Sequence, residues 1–544
     1  VADRQAMPRF SLAFALSSSA VLLLLLCALF TPAWETNDDV GMSMIAHGYG
    51  MAAQSSPKLM FSNILWGYFV GALPTVGGVL GYSLATLAVL FAVGAAIFYG
   101  MHRLGAGAPA CLAMLALVMI RPILFPQFTV NAGLLLVAAL VCWHVYARHN
   151  SPLALGAGCV LAFLSYLVRS HEFLLVFLVA LPLIPWQPLW RKPVARGTFA
   201  LLIGAIAISA IFDAGNYQGK EWEPFNQLNP ARAAFTDFGA GEELKQHPDI
   251  LKRHGFSVND VDLVSTWFFV DTRIADPKLL RSMLGELGIL PAGSNSWANA
   301  WLSLKSLWHP DIRPLLAIAL ILALLRPSYG IAASWLLFLA AIIIMGVLGR
   351  PGILRVYVPL LSLLAVAPFL SEKAFRPLRP LAALLVATAA AISASAATEN
   401  SKNFELAAIE TRREFTAFPA EPVVIWGDSF PFERIYPVLG ASPAAMTYRL
   451  YGLGVFTWSP FSVAFAEQKR QRGVVDRLRQ SAGMPFLATE ERYEYLKKYC
   501  DEHHDGSLRE ISELTLGQQR ISWRRCSEKI SVPLSDSPPQ KHEN

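Results

Sequence analysis

Two adjacent carboxylates, Asp38 and Asp39, close the stretch Glu35-Thr36-Asn37-Asp38-Asp39 directly behind the first long apolar run of the chain. Carboxylates at the end of a hydrophobic span are costly to keep there for packing alone, so the pair reads first as a site. Its chemistry would be proton abstraction, because a carboxylate within hydrogen-bond reach of an incoming hydroxyl can act as its general base. The plainer reading is an acidic turn that caps a following helix.

A second group of residues suits an anion. Arg169, His171 and Glu172 share the turn Val168-Arg169-Ser170-His171-Glu172, and Arg350 and Arg355 frame Gly349-Arg350-Pro351-Gly352-Ile353-Leu354-Arg355. The planar fork of arginine matches phosphate oxygens, so two such turns facing the acidic pair would suit a lipid-linked phosphate as leaving group. Lys58 is a further candidate for that phosphate, and contact with ordinary phospholipid headgroups is the alternative. Trp222, Asn229 and Arg232 combine a ring, an amide and a charge in the way sugar-binding surfaces do, although any folded loop has such mixtures. No His/Cys cluster has zinc spacing, and no Walker A or dinucleotide motif stands in context. No metal or other cofactor is therefore expected from spacing.

The elements that must position these groups are membrane spans. Of 544 residues, 54% are hydrophobic and 15% charged, against about a quarter charged in soluble domains. Nucleic-acid binding has no support in such a chain. Apolar segments near 10–32, 78–101, 107–123, 128–147, 152–168, 172–187, 197–213, 312–326, 330–348, 354–371 and 379–397 predict about eleven transmembrane helices. Alternating them from an inside N-terminus puts Arg4, Arg9, Arg103, Arg148, Arg191, Lys192, Arg196, Arg326, Lys373, Arg376 and Arg379 on one side, with only Asp3 and Glu372 as acids. That asymmetry marks the cytoplasmic side. Four parts then lie outside: a first loop 33–77, the turn at Arg169, a long loop 214–311, and everything after the transmembrane region 1–397. Lys58 to Leu73 is expected to lie at the outer interface, anchored by Trp66 and Tyr68.

The segment 398–530 reads as a small extracytoplasmic α/β domain, with a strand at 422–426 and helices near 464–480 and 489–500, and 531–544 as a disordered tail. Cys500 and Cys526 fall in this part, where an oxidising compartment would let them pair; two free thiols are the alternative. Gly427-Asp428-Ser429 after the strand looks like the nucleophile block of GDS-type esterases, with Asp501-Glu502-His503-His504 downstream, yet a simple turn accounts for three residues as well.

The layout as a whole resembles the GT-C superfamily of polytopic glycosyltransferases. Thr36-Asn37-Asp38-Asp39-Val40 with Gly50, the segment Phe61-Ser62-Asn63-Ile64-Leu65-Trp66-Gly67, and Trp222, Asn229 and Arg232 carry the likeness, which is greatest to GtrII-like bacterial proteins. The resemblance implies a polyprenyl-phosphate-linked sugar as donor, a glycan or lipid acceptor in the cell envelope, and transfer at the periplasmic face of the bacterial inner membrane. It makes Asp38 or Asp39 the base and Arg169, Arg350 and Arg355 the phosphate ligands, and it leaves open a divalent ion at Asp39 and Glu172. A polysaccharide polymerase or ligase with a diphosphate-linked donor, and a lipid-linked sugar flippase, are the rival expectations.

Overall fold

Every one of the apolar segments is helical in the computed structural model, which describes residues 2–288, 296–370 and 379–528. Among the described residues, six helices are long and apolar enough to cross a membrane: Ser11–Leu29, Gly81–Arg103, Phe128–His149, Pro193–Asn216, Tyr329–Val347 and Pro380–Ala417. Ala108–Leu124, Pro152–Val168, Ser170–Leu183 and Leu354–Leu370 are shorter apolar helices, and Arg313–Leu325 is bent by 87° against Ser296–Trp308. Local signals set the turns between them. His149-Asn150-Ser151-Pro152 is one: Asn150 takes the left-handed conformation that ends a helix (φ 54°), the Ser151 hydroxyl accepts from the Ala154 amide, and Pro152 opens the next helix.

Phe128–His149 is the hub, with 94% of its apolar window buried, whereas Ser11–Leu29 and Pro193–Asn216 bury only 17%. Helices so apolar and so open on their outer faces match a lipid surround. The segment at 58–73 yields only a nine-residue helix, Ile64–Ala72, which at 1.5 Å per residue is about 14 Å long and too short to cross a bilayer. Trp66 does not anchor it at a surface, because its ring is buried against Phe69; Tyr68 is exposed.

The turns expected on one side do meet one another. The Asn63 amide donates to Leu167, Arg169 to the Phe61 carbonyl, Arg355 pairs with Asp38, and the Ile64 amide donates to Asp213. At the other end, Arg148 donates to the Leu104 carbonyl and Lys192 to Asn150. Lys373, Arg376 and the tail 531–544 lie outside the described residues.

The last helix, Arg379–Glu414, runs 36 residues, about 54 Å, and so continues well past a bilayer of about 30 Å. The sheet therefore starts later than position 398. Its strands are β1 (Val423–Trp426), β2 (Leu450–Leu453), β3 (Met484–Leu487), β4 (Gly506–Leu516) and β5 (Gln519–Glu528), in the order β2-β1-β3-β5-β4. β1 is parallel to β2 and β3, while β5 is antiparallel to β3 and β4. Cys500 and Cys526 form a disulfide that ties the helix Glu490–His504 to β5.

The long loop and this domain are not separate bodies. Side chains alternate faces along a strand, and β1 uses both. Val424 and Trp426 join one core with Phe268 and Leu263 of the long loop, while Val423 and Ile425 join the core that continues into the membrane helices. Trp426 and Trp458 donate their indole N–H groups to the long-loop carbonyls of Thr266 (2.6 Å) and Phe269 (2.8 Å). Single-residue bridges, Gly50 to Arg449 and Ala52 to Ser462, attach the first loop to the same domain.

Candidate active site

The helix Asn37–His47 begins inside the acidic stretch, after Thr36 in extended backbone. Carboxylates suit this first turn, where unpaired amides and the helix dipole present positive charge. Successive helix residues point about 100° apart, so Asp38 and Asp39 meet different surroundings.

Asp39 turns inward and is fully buried. Its Oδ1 accepts from the Tyr82 hydroxyl (2.9 Å) and the Phe128 amide (3.1 Å), and its Oδ2 from the Thr36 hydroxyl (3.3 Å). Burial pushes its carboxyl well above the ordinary carboxylate value, against the Tyr82 hydrogen bond and with the Asp38 charge adding to the rise. The expectation that either aspartate could meet a substrate hydroxyl is thereby narrowed, since no solvent reaches Asp39. Asp38 keeps 28% of its side chain exposed, and its Oδ2 accepts from Arg355 Nη1 at 3.1 Å. Glu35, the third acid, pairs with Arg121 at 3.0 Å, and Arg121 also holds Asp311 at 3.1 Å.

Arg169 closes the helix Pro152–Val168 in extended backbone and immediately precedes Ser170–Ala180. Its Nη1 donates to the Phe61 carbonyl at 3.2 Å, and its guanidinium lies over the rings of Phe61 and Phe128 at 5.5 and 5.1 Å. It has no ion pair among the described residues, although its charge interacts with those of Asp38, Glu172, Arg355 and Arg350. A half-buried guanidinium without an ion pair among the described residues, beside two further arginines, has the composition to hold an anion.

Arg350 stands 3.8 Å from Asp237, which also takes Arg232 at 3.3 Å. Asn229 Oδ1 accepts from Arg232 Nε and Nη2 at 2.9 and 2.6 Å, and the Arg232 guanidinium covers the Trp267 ring at 4.6 Å. Asn229 and Arg232 thus reach the arginines through Asp237 and hold one another, where sequence spacing suggested direct sugar contacts. Glu172 is buried with one oxygen, Oε1, lacking a hydrogen-bond partner, within the field of Arg169 and Arg355. A Cβ at Gly133 would collide with the Pro359 ring and come within 3.2 Å of that oxygen, so glycine there is required first by the close approach of Pro359. His171 is exposed beside Arg169.

Two expected members sit elsewhere. Lys58 lies over the rings of Tyr217 (5.9 Å) and Trp222 (5.1 Å) and 4.0 Å from Glu221. Trp222 is buried against Tyr217, Phe225 and Phe461, which leaves no face free for stacking on a sugar. The serine of the esterase-like motif is also accounted for: the Ser429 hydroxyl donates to the carbonyls of Trp426 and Leu487 and fastens the turn after β1. Of possible metal ligands, Asp260, Glu502 and His503 bring one ligand atom each within 4.8 Å of one another. Asp260 already accepts from the Ser257 amide and contacts His503 at 2.7 Å, which suits a capped helix end held by an ion pair.

Sequence reasoning missed Arg121 and Tyr82. Arg121 had a signal, a lone charge inside an apolar run; Tyr82 had none, since its partner Asp39 is far away in the chain.

No protein-family model matches the chain, and no curated protein matches it. Among solved structures it is similar to ArnT from Cupriavidus metallidurans bound to undecaprenyl phosphate, at 11% identity over 94% of this chain and 97% of that one, with a TM-score of 0.38. A likeness that distant carries no functional weight, and the reading of the site rests on its own geometry.

Proposed function

We propose that the protein is a GT-C-type membrane glycosyltransferase that moves a sugar from a polyprenyl-phosphate donor to a hydroxyl of a cell-envelope glycan or lipid, at the periplasmic face of a bacterial inner membrane. The observation that carries this reading is the open carboxylate of Asp38, paired with Arg355 and beside the guanidinium of Arg169, which has no ion pair among the described residues. An acid and an anion site in one place are the two parts that displacement of a lipid phosphate by a hydroxyl requires. The basic turns at the opposite end support the periplasmic placement.

In this reading Asp38 takes the acceptor proton as the hydroxyl oxygen bonds to the anomeric carbon. The bond from that carbon to the donor phosphate oxygen breaks, and the phosphate leaves with the electron pair. Arg169 and Arg355 stabilise its charge, and Arg350, held by Asp237, adds to the field. One displacement inverts the anomeric centre. Asp39 serves as a positioning residue, fixing the first helical turn so that Asp38 faces the arginines.

The test is binding of undecaprenyl phosphate to the full chain in nanodiscs. Wild type should bind, and an Arg169→Ala, Arg355→Ala double variant of unchanged thermal midpoint should bind at least about tenfold more weakly, since charge-assisted hydrogen bonds contribute about 1.5–3 kcal/mol each. Equal binding by the two proteins would refute the donor site.

A further inference from the structure

A cavity of about 660 Å³ opens on another flank of the helix Asn37–His47, between the helical region and the C-terminal domain. Ligand sites commonly occupy about 300–1,000 Å³, so it has room for one or more sugar units. Its walls alternate rings, such as Phe404 and Phe432, with polar groups, including Asn37, Asn400, Asp428 and Glu433. Rings with a few placed polar groups are the chemistry that holds a sugar.

Several contacts put this cavity beside Asp38. Asn37 lines it, the short helix Phe432–Ile435 packs on Asn37–His47, and the charges of Asp38 and Glu433 interact. Asp38 thus stands between the cavity and the arginines.

The two flanks differ in charge. The cavity wall carries four carboxylates and two guanidiniums. Arg121 is taken up by Glu35 and Asp311, which leaves Asp428 and Glu433 facing Arg434, all three without an ion pair among the described residues. Burial raises the Glu433 carboxyl above its ordinary value, and the neighbouring charge of Asp428 raises it further. Across Asp38, the four guanidiniums of Arg169, Arg232, Arg350 and Arg355 outnumber the three carboxylates of Asp38, Asp237 and Glu172. An anionic group would be drawn to the arginines and repelled from the cavity.

We propose that this cavity binds the acceptor, and that the acceptor is a neutral or amine-bearing sugar without a carboxylate or phosphate near its reacting hydroxyl. The proposal rests on Asp38 being the base, and it makes the C-terminal domain part of the acceptor site.

The experiment measures binding of three disaccharide probes to the full chain in nanodiscs by saturation-transfer NMR: a glucosamine dimer, an N-acetylglucosamine dimer and a galacturonate dimer. The first two should bind at least tenfold more tightly than the third. An Asp428→Asn, Glu433→Gln double variant should narrow that ratio to below threefold, and Asn400→Trp, a change at an exposed helix position on the cavity wall, should block all three. Equal or tighter binding of the galacturonate dimer, a ratio unmoved by the double variant, undiminished binding in the Asn400→Trp protein, or no binding of any probe would each overturn the proposal. Undecaprenyl phosphate binding, measured in parallel, reports on the donor site separately. Probe binding without it would remove the donor reading and keep the cavity, and the reverse result would remove only the cavity.

Discussion

Arg121 and Arg169 both stand at the ends of short apolar helices on the same side of the molecule, and they differ in what reaches them. Arg121 holds two carboxylates, Glu35 and Asp311, drawn from positions 86 and 190 residues away. Arg169 holds one backbone carbonyl and two aromatic faces. The first guanidinium is spent on joining the first loop to the end of the long loop. The second has no ion pair among the described residues and keeps hydrogen-bonding capacity and charge. In the proposed reading, pairing, more than residue type or burial, separates a structural arginine from a binding one.

The contrast can be broken at four places. The largest expected effect is at the acid facing the unpaired side. Asp38→Asn should lower the transfer rate by about 10²–10⁴-fold, the usual worth of a general base, with the thermal midpoint unchanged; full turnover in a folded variant would end the assignment of Asp38 as base. Arg121→Ala comes next and should act on stability, because it strands two poorly exposed carboxylates. Breaking such a pair costs about 3–5 kcal/mol, which denaturant or thermal unfolding would detect, and a loss of activity at unchanged stability would reverse the roles given to the two arginines.

Arg169→Ala should do the opposite, weakening the donor by about 10- to 100-fold, as expected for one charge-assisted hydrogen bond, while leaving unfolding nearly as it is. Steady-state kinetics at several donor concentrations would show it. The smallest effect concerns Asp39. Its carboxyl holds a proton more tightly in the folded state than in the unfolded chain, where the value is about 3.9. The stability linked to that proton is therefore fully present below the unfolded value and lost as pH rises through the raised folded value. Asp39→Asn retains an oxygen that can accept from Tyr82 and Phe128 and cannot ionise, so it should flatten the decline of the thermal midpoint above about pH 4. An unchanged slope would mean that another group carries it.

Much of the architecture was legible in the chain itself. The helical segments follow from apolar runs bounded by signals such as Asn150-Ser151-Pro152, and the grouping of Asp38, Arg169, Arg350 and Arg355 on one side follows from alternating those segments. The strand at 423–426 was visible as a β-branched run, whereas β4 and β5 were not. β4 has an exposed middle, and both strands are rich in charged residues. The packing of Lys58 on Trp222 was not legible, because a cation and a ring at a loop surface look alike whether they meet a ligand or each other.

Hydrophobicity and charge are local properties, so the apolar helices and the uneven distribution of Lys and Arg between their ends are what the sequence determined by itself. Which of two adjacent aspartates faces the site, which arginine is already paired, and whether the long loop and the terminal domain share a core depend on partners dozens to hundreds of residues away. Those were decided only when the helix Asn37–His47 was set down with Asp39 against Tyr82 and Phe128, leaving Asp38 on the side that meets Arg355.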